Sequence, residues 1–542
     1  MNRKPAGNLP QRFLRMCRRN LRRPKVADST GAELTGAGLL TRTLVLRRLL
    51  VRHVLGKDEQ YVGVLLPPSV GAVVTNAALA LDRRIAVNLN YTASAEAVHD
   101  AIAQCGVRHV LTSRRMIERL SFSIDANLVY LDDFQGKVSW KDKLIAAAAT
   151  WLAPMALLDR WFALARIQPD DVLTVIFTSG TTGKPKGVML THRNVGSNID
   201  ALDEILDLRS DDVLMAILPL FHSFGYTGTL WTILSMDPKG VYHYNPLDAR
   251  QIGQLCRQHR ATILVATPTF LRPYLKRCQA EDFATLEVVF VGAEKLPTAL
   301  ADAFEEKFGV RPYEGYGATE LSPIAAGSVP AGRGPGAARQ GARPGTVGRP
   351  LPGVEAKVVD LETGTDLGID KPGMLLIRGP NVMKGYLEQP EATAQVIRDG
   401  WYVTGDMAAI DADGFIRITD RLNRISKIGG EMVPHLRVEE AILAALADVE
   451  DLRPLAVTGV PDSRKGERLI VVHTGLGKPV AQIIKELAQA GLPPLWIPSP
   501  DSFVQVDELP LLGTGKLDLR KLKQIAAQKS GDAAPHERPE GT

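Results

Sequence analysis

The side chains best suited to chemistry gather in TSGTTGKPKG, Thr178 to Gly187. The stretch holds four hydroxyls (Thr178, Ser179, Thr181, Thr182), three glycines (Gly180, Gly183, Gly187) and two lysines (Lys184, Lys186), with no acid among them. Glycines let the backbone turn tightly and bring N–H groups close to an anion, hydroxyls donate to its oxygens, and lysines balance its charge. The pattern reads as a place to hold phosphate. A polar surface loop is the plainer alternative, but such loops also carry Asp, Asn and Glu. The spacing is not that of the common NTPase loop. G-x-x-x-x-G-K-[ST] cannot be placed, because Gly180 and Gly183 are three apart and Lys184 is followed by Pro185. Kinase and GTPase chemistry lose their main support.

Other candidates are weak when taken singly. His222 in an apolar PLFHSFG segment reads as a core histidine, Glu320 as a solvated carboxylate, Asp406 in TGD as a turn residue and Lys516 as an exposed lysine in a Gly-rich loop. An H-x4-D spacing at His53 and Asp58 matches the glycerolipid acyltransferase signature, but it ends a helical pattern and lacks any other acyltransferase feature.

The elements that must position these residues alternate. Short apolar runs (YVGVLL, RHVLTS, ANLVYL, DVLMAILPL, ATILVATPT, LEVVFVGA) interleave with helical stretches such as Ser69 to Ala80 and Ser94 to Gln104, which predicts βαβ sheets. Within Gln11 to Arg23, Phe13, Cys17 and Leu21 recur at i, i+4 among arginines. This is an amphipathic helix that either packs on its own domain, the favoured reading, or lies on a membrane. Leu144 to Ala165, rich in Ala, Leu and Trp, reads as core, with a membrane-facing helix or a lid over a lipid chain as alternatives. Residues 327–345, with three arginines and no acids among Gly, Pro and Ala, predict a mobile loop. A composition change at Asp420 to Glu431, after a β-rich segment, marks a small αβ domain, and the polar tail from 528 to 542 is expected to be disordered.

With 542 residues, 45% of them apolar, the chain has room for two or three domains with sizeable cores. Its net charge of +5 comes from the first 25 residues, which hold nine Lys or Arg and no acid, leaving 56 basic against 60 acidic residues elsewhere. A nucleic-acid partner is therefore not implied. Four scattered cysteines (Cys17, Cys105, Cys256, Cys278) without C-x-x-C spacing fit a reducing compartment and argue against a disulfide scaffold or a zinc site. No signal peptide or bilayer-length apolar run is visible. The expected location is cytoplasmic, with peripheral contact at the inner face of a membrane through the basic N-terminal helix as an addition.

TSGTTGKPKG resembles the phosphate-loop signature of the adenylate-forming superfamily of acyl-CoA synthetases, firefly-luciferase-like enzymes and nonribosomal-peptide adenylation domains. LPLFHSFG (218–225), VGAEKLP (291–297), EGYGATE (314–320), YVTGD (402–406), DRLNRISKIGGE (420–431) and PLLGTGKLD (510–518) follow in that superfamily's order. Together with LNYTAS, YNPLDARQI and KIGGEMV, these segments are similar to the acyl-ACP synthetase half of the bifunctional 2-acylglycerophosphoethanolamine acyltransferase/acyl-ACP synthetases. The resemblance extends from about residue 11 to 525, so a stand-alone synthetase is expected. The resemblance implies an α/β fold with a large N-terminal domain of stacked αβ subdomains plus a β-rich subdomain (1–421), and a small mobile C-terminal α+β domain (422–527).

The resemblance also implies roles. Thr178, Ser179, Gly180, Thr181, Thr182, Gly183 and Lys186 grip the β- and γ-phosphates of ATP, and Glu320 binds Mg²⁺, a hard ion suited to oxygen. Gly292, Ala293 and Glu294 form one wall for adenine, while Glu314, Gly315, Tyr316, Gly317 and Thr319 form the other, with Tyr316 stacking on the base and Gly317 permitting close approach. Asp406 accepts from the ribose hydroxyls, Arg421 contacts the nucleotide, and His222 positions the acyl carboxylate. Lys516 bridges carboxylate and α-phosphate and is the main catalytic candidate. Asn423, where the family more often has Asp or Lys, is the hinge. Gly429 and Gly430 line the pantetheine tunnel. The implied reaction makes acyl-AMP and then an acyl thioester on a phosphopantetheine thiol, with acyl carrier protein the preferred acceptor and CoA the alternative. Basic surface at Arg464, Lys465, Arg468, Arg520 and Lys521, or the arginine loop 333–343, would meet the acidic carrier. A catalytically silent nucleotide- or acyl-binding protein is the reading from another class.

Overall fold

The computed structural model describes residues 7–178, 185–330, 332–333, 341–429, 431–446, 455–462, 464–511 and 517–529. Their contacts define two compact units. One comprises Met1–Ala356, Leu376–Val403 and Asp413–Ile416; the other comprises Lys357–Leu375, Thr404–Ala412 and Arg417–Thr542.

The first unit holds two large sheets. One has nine strands among the described residues, ordered Arg349–Pro350, Ile324–Gly327, Pro312–Gly317, Val288–Val291, Ile263–Ala266, Val213–Ala216, Lys239–Tyr242, Pro24–Asp28 and Glu33–Thr35. Its centre is parallel, with register pairs such as Val265–Ala216, Ala266–Val291 and Val291–Glu314. Ile263–Ala266 and Val288–Val291 are buried along their whole length, as expected of parallel strands covered on both faces. From Val213–Ala216 the next strand in sequence lies on one side and the one after it on the other, so the order reverses at this strand. A reversal leaves a crevice beyond the carboxyl ends of the strands, where ligands of open α/β sheets bind.

The other sheet has seven strands, ordered Gly385–Tyr386, Lys186–Thr191, Val172–Thr178, Ile85–Asn88, Tyr61–Leu65, His109–Thr112 and Asn127–Tyr130. Helices between the strands start where their sequences supply caps. Ser69 accepts from Ala72 N ahead of Val70–Leu81, Ser94 from Ala97 N ahead of Ala95–Cys105, and Thr191 from Asn194 N ahead of His192–Leu206. The expected amphipathic N-terminal helix is Leu9–Arg19, capped by Asn8, and it packs on its own unit with Phe13, Leu14, Met16 and Cys17 buried.

In the second unit, most of the strand length at Glu355–Val359, Gly373–Arg378, Trp401–Ile410 and Ile416–Arg421 joins one sheet. A further sheet contains Ile425–Ile428, Glu431–Pro434, Leu455–Asp462, Gly466–His473 and Phe503–Gln505, with its own core around Val433, Val438, Ile442, Val457 and Val471. The helix Leu519–Lys529 closes the described chain, and residues 530–542, the rest of the expected tail, lie outside it.

Two expectations need correction. Leu144 to Ala165 is core on one side only: Ala146, Ala149, Ala153, Leu158 and Leu164 are buried, whereas Trp140, Leu144, Trp151, Leu152 and Trp161, on or next to the helices Trp140–Trp151 and Met155–Phe162, are exposed. Arg333 and Arg343 of the arginine loop are also not free docking charges, while Arg339 lies outside the described residues. Arg333 is 2% exposed and donates to Asp212 Oδ2 at 2.6 Å and Glu287 Oε2 at 2.7 Å. Arg343 pairs with Asp413 at 2.5 Å and lies over the Phe415 ring. Asp212 is as buried as Arg333, so removing the guanidinium strands a carboxylate. Arg333→Met is expected to cost about 3 kcal/mol of stability, read from urea unfolding of the large unit.

Candidate active site

Parallel register places several motifs at one edge of the nine-stranded sheet. Val213–Ala216 runs out toward His222, Val288–Val291 into Gly292–Glu294, and Pro312–Gly317 into Thr319–Glu320. Side chains then join the motifs. Ser223 Oγ donates to Thr319 Oγ1 at 3.2 Å, linking HSFG to the turn that carries Glu320. His222 is half-buried, with its ring 4.7 Å from Phe221, which meets Tyr91 of LNYTAS edge-on at 4.8 Å. Phe224 packs against Phe290 at 6.2 Å, and a Cβ on Gly292 would lie 3.2 Å from the Phe224 ring.

The phosphate-loop candidate joins antiparallel strands, with Phe177 paired to Gly187 and Thr178 to Lys186. It is therefore a hairpin connection and does not open a helix as the common NTPase loop does. Ser179, Gly180, Thr181, Thr182 and Gly183 lie outside the described residues; Thr178 and Lys186 bracket them. Gly187 has a packing reason, since a Cβ there would meet Val175 at 2.9 Å. Lys186 Nζ sits 4.9 Å above the Tyr386 ring, and Tyr386 Oη donates to Glu320 Oε1 at 2.9 Å. Burial and the neighbouring carboxylate raise the Tyr386 pKa, so the phenol keeps the proton it donates. Lys186, Tyr386, Glu320, Thr319, Ser223 and His222 thus form one contiguous chain.

The segment that delivers Tyr386 is pinned by buried amides. Asn194 Nδ2 donates to Pro380 O (2.9 Å) and Val382 O (2.7 Å), Asn381 Nδ2 to Leu321 O (3.1 Å), and Met383 N to Glu320 O (2.8 Å). Asn198 exchanges two hydrogen bonds with the Ile324 backbone. The glycines of EGYG are set by packing inside the protein. A Cβ on Gly315 would fall 2.2 Å from the Phe290 ring, and one on Gly317 would fall 1.8 Å from Pro323 O. Tyr316 is buried between them. Ala293 adopts φ +71°, an unusual conformation for a residue with a Cβ, and turns the chain after its strand. Glu294 accepts from Thr269 Oγ1 at 2.6 Å.

An apolar cavity of about 30 Å³ lies beside Phe224, walled by Leu206, Gly228, Val265, Phe290 and Ile324. A larger cavity of about 510 Å³ has Gln60, Ile85 and Val172 in its wall, at the amino ends of their strands and so at the opposite edge from the motifs. Among the described residues no cluster of three or more His, Cys, Asp or Glu could hold a metal. A single carboxylate such as Glu320 would suit Mg²⁺ as a hard oxygen donor.

A family model described as AMP-binding enzyme matches residues 13–387. The chain belongs to the AMP-binding enzyme family. It is 31% identical over 369 residues to a long-chain-fatty-acid–CoA ligase of Bacillus subtilis, a match covering 66% of this chain and 63% of that protein. It is 35% identical over 382 residues to 4-coumarate–CoA ligase 3 of Oryza sativa, covering 68% and 65%. The matches thus span a little under two thirds of these relatives' lengths. Among solved structures, ATP-bound MatB from Rhodopseudomonas palustris superposes with TM-score 0.77 at 28% identity, covering 95% of this chain and 98% of that one. The o-succinylbenzoate CoA synthetase of Bacillus subtilis shares the fold at 23% identity and TM-score 0.77. The fold is that of the adenylate-forming enzymes, with a large N-terminal and a smaller C-terminal domain.

In the second unit, Asp406 is buried and Arg421 Nε reaches its Oδ1 at 2.8 Å, so these two candidates of the AMP-binding fold stand together. Gly405 takes φ +75°, and Thr404 Oγ1 accepts from Asp406 N at 3.0 Å. Asn423 sits in the short turn Leu422–Arg424. Gly429 takes φ +59° and is described, while Gly430 and Lys516 lie outside the described residues. Sequence reasoning missed Tyr386, whose distance from every motif hid it. It also missed Asp420, although that residue opens the DRL segment. Asp420 is buried and accepts from Arg421 N (2.7 Å) and Leu436 N (3.0 Å), and burial pushes its pKa up to about 6.

Glu314 is a further displaced carboxyl, pushed by burial up to about 7 against an ordinary 4.5. Its folded pKa lies above the unfolded one, so the folded state holds the proton more tightly and stability falls as pH rises through that interval. Glu314→Gln is expected to raise stability at pH 8 by on the order of 3 kcal/mol, and the gain should vanish below about pH 4. Paired denaturant titrations of both proteins across pH test it.

Proposed function

We propose that the protein is an AMP-forming acid–thiol ligase that activates a fatty acid with ATP and passes the acyl group to a phosphopantetheine thiol. The observation that carries this reading is the convergence of Lys186, Glu320 and His222 at the strand ends, beside an apolar cavity. In the first half-reaction a carboxylate oxygen attacks the α-phosphorus of ATP and pyrophosphate leaves. Lys186 and the hairpin hold the leaving pyrophosphate, Tyr386 aims Glu320, and His222 orients the carboxylate. Asp406 and Arg421 take the ribose and the adenylate. Mg²⁺ held by Glu320 supplies charge neutralisation on the phosphates. Lys516 bridges the two anions and lowers their repulsion. In the second half-reaction the thiol sulfur attacks the acyl carbonyl, AMP leaves, and the thiol proton passes to solvent. For this step the domain 422–527 rotates about Asn423, withdrawing Lys516 and bringing Gly429 and Gly430 to the pantetheine arm.

Two acceptors are distinguished by different observations. The similar fatty-acid and coumarate ligases are named for CoA. Exposed Arg464, Lys465, Arg520 and Lys521 in the second unit suit an acidic acyl carrier protein. Arg468 contributes less, since it pairs with Asp501 at 3.6 Å. The free, buried cysteines fit a cytoplasmic location, and among the described residues no helix is long and apolar enough to cross a membrane. Any membrane contact by the N-terminal helix falls to its exposed arginines, because its apolar face is buried.

Fatty-acid-dependent ATP–pyrophosphate exchange tests the first half-reaction. Lys516→Ala should lower it by at least about 100-fold with the fold intact, and unchanged exchange would remove Lys516 from the mechanism. Thioester formation on CoA and on holo carrier protein, measured side by side, decides the acceptor. The cavity beside Phe224 generates a second test. Phe224→Ala opens it, so the kcat/KM ratio for long over medium-chain acids should rise about tenfold, whereas an unchanged ratio would place the acyl chain elsewhere.

A further inference from the structure

The helix Trp140–Trp151 has an inverted cross-section. Its inward positions are small or polar: Asp142, Ala146, Ala149 and Thr150. Its outward stripe carries Trp140 (68% exposed), Leu144 (60%) and Trp151 (45%), and Leu152 at its end is 79% exposed. Met155–Phe162 continues the pattern, burying Leu158 while Leu157 and Trp161 face solvent. Single exposed apolar side chains are ordinary on soluble proteins, but a contiguous set marks an interaction surface.

The inner side is anchored too firmly for these helices to turn over. Asp142 accepts from Arg48 Nε at 2.6 Å and Arg52 Nη2 at 2.9 Å, and Thr41 Oγ1 donates to Thr150 Oγ1 at 3.0 Å. Arg18 donates to the carbonyls of Ala149, Trp151 and Ala153, satisfying the C-terminal end of the helix. The outward face is fixed in place by ion pairs and hydrogen bonds beneath it.

Charge identifies what covers it. Lys137, Lys141, Lys143 and Arg160 are exposed around the apolar stripe, with Lys141 Nζ 5.8 Å from the Trp140 ring. The nearby acids are engaged: Asp142 by the two arginines, Asp159 by Gln11 at 2.8 Å, and Asp133 by Arg114 at 2.7 Å. The adjoining helix Leu9–Arg19 has no acid and shows Arg15 and Arg19 to solvent. A two-fold contact between copies would set this basic rim against itself. Residues 530–542 contain no Leu, Ile, Val, Phe or Trp that could cover the apolar stripe. Tryptophans with snorkelling lysines are suited to the lipid headgroup boundary, where apolar depth and anionic charge occur together.

We propose that the outward face of Trp140–Trp151 and Met155–Phe162 docks the protein on the surface of an anionic lipid bilayer. Tryptophan and leucine side chains enter the acyl boundary and the lysines meet lipid phosphates. The inference stands independently of the ligase reading.

Co-sedimentation of the full chain with phosphatidylcholine vesicles, with and without phosphatidylglycerol, tests it. Affinity for the anionic vesicles should exceed that for neutral ones by at least about tenfold. Leu144→Gln with Leu152→Gln should weaken binding about tenfold, and Lys141→Glu with Lys143→Glu should abolish the anionic preference. All four positions are exposed, so thermal melting should not change. Brominated acyl chains should quench tryptophan fluorescence in the wild type. Absence of binding to anionic vesicles at low salt, or unchanged binding by the leucine variant, would overturn the proposal. So would a solution dimer that the leucine substitutions dissociate.

Discussion

The hydrogen-bonded strap Pro380–Tyr386 is the constraint on which the large unit's site depends. It leaves the region of Glu320, where Met383 N and Asn381 Nδ2 hold the turn, and ends as an edge strand beside Lys186–Thr191. The two sheets meet through it. Its partner Asn194 and its own Asn381 are buried, so each of these bonds is made where the alternative is an unsatisfied amide rather than a solvated one.

Strand direction supplies the rest of the geometry. Parallel strands place all their carboxyl ends on one edge, so His222, Gly292–Glu294 and Glu320, which are tens of residues apart in sequence, need no long-range device to converge. The phosphate-loop candidate reaches its place differently. It connects the antiparallel strands Val172–Thr178 and Lys186–Thr191, and the element described after it is a strand, not a helix whose dipole could attract an anion. TSGTTGKPKG nonetheless carries two lysines and no acid.

The alternating strands and the motif order were legible because fully apolar strands and glycine-bearing signatures are local patterns. Tyr386 was not, since an isolated tyrosine carries no sequence signal for a carboxylate that lies 66 residues away. Leu144 to Ala165 was legible only in part: composition gives the apolar content of a helix but not which face the rest of the fold covers, and here Leu158, Leu164 and the alanines turn inward while the tryptophans and Leu144 and Leu152 face out. Gly317 shows a third limit. Its motif suggested close approach of a ligand, whereas the backbone carbonyl of Pro323 already fills the space a Cβ would need. A motif glycine can satisfy an internal contact and a ligand together, and sequence cannot separate the two.

Net charge is likewise the wrong quantity for reasoning about partners, because it counts charges that the fold has already engaged. Of the basic residues near the N-terminus, Arg12 is bidentate with Asp200 at 2.6 and 3.0 Å, and Arg18 is committed to helix carbonyls. Lys25 is fully buried, donating to Met236 O at 2.6 Å and to Pro238 O, and burial pulls its pKa down to about 7. A lysine in that position is a buried structural donor rather than a surface cation. Arg333 is removed from the count in the same way by Asp212. The basic character that remains available is therefore set by position, and it is available where lysines and arginines border apolar side chains without an acid to hold them.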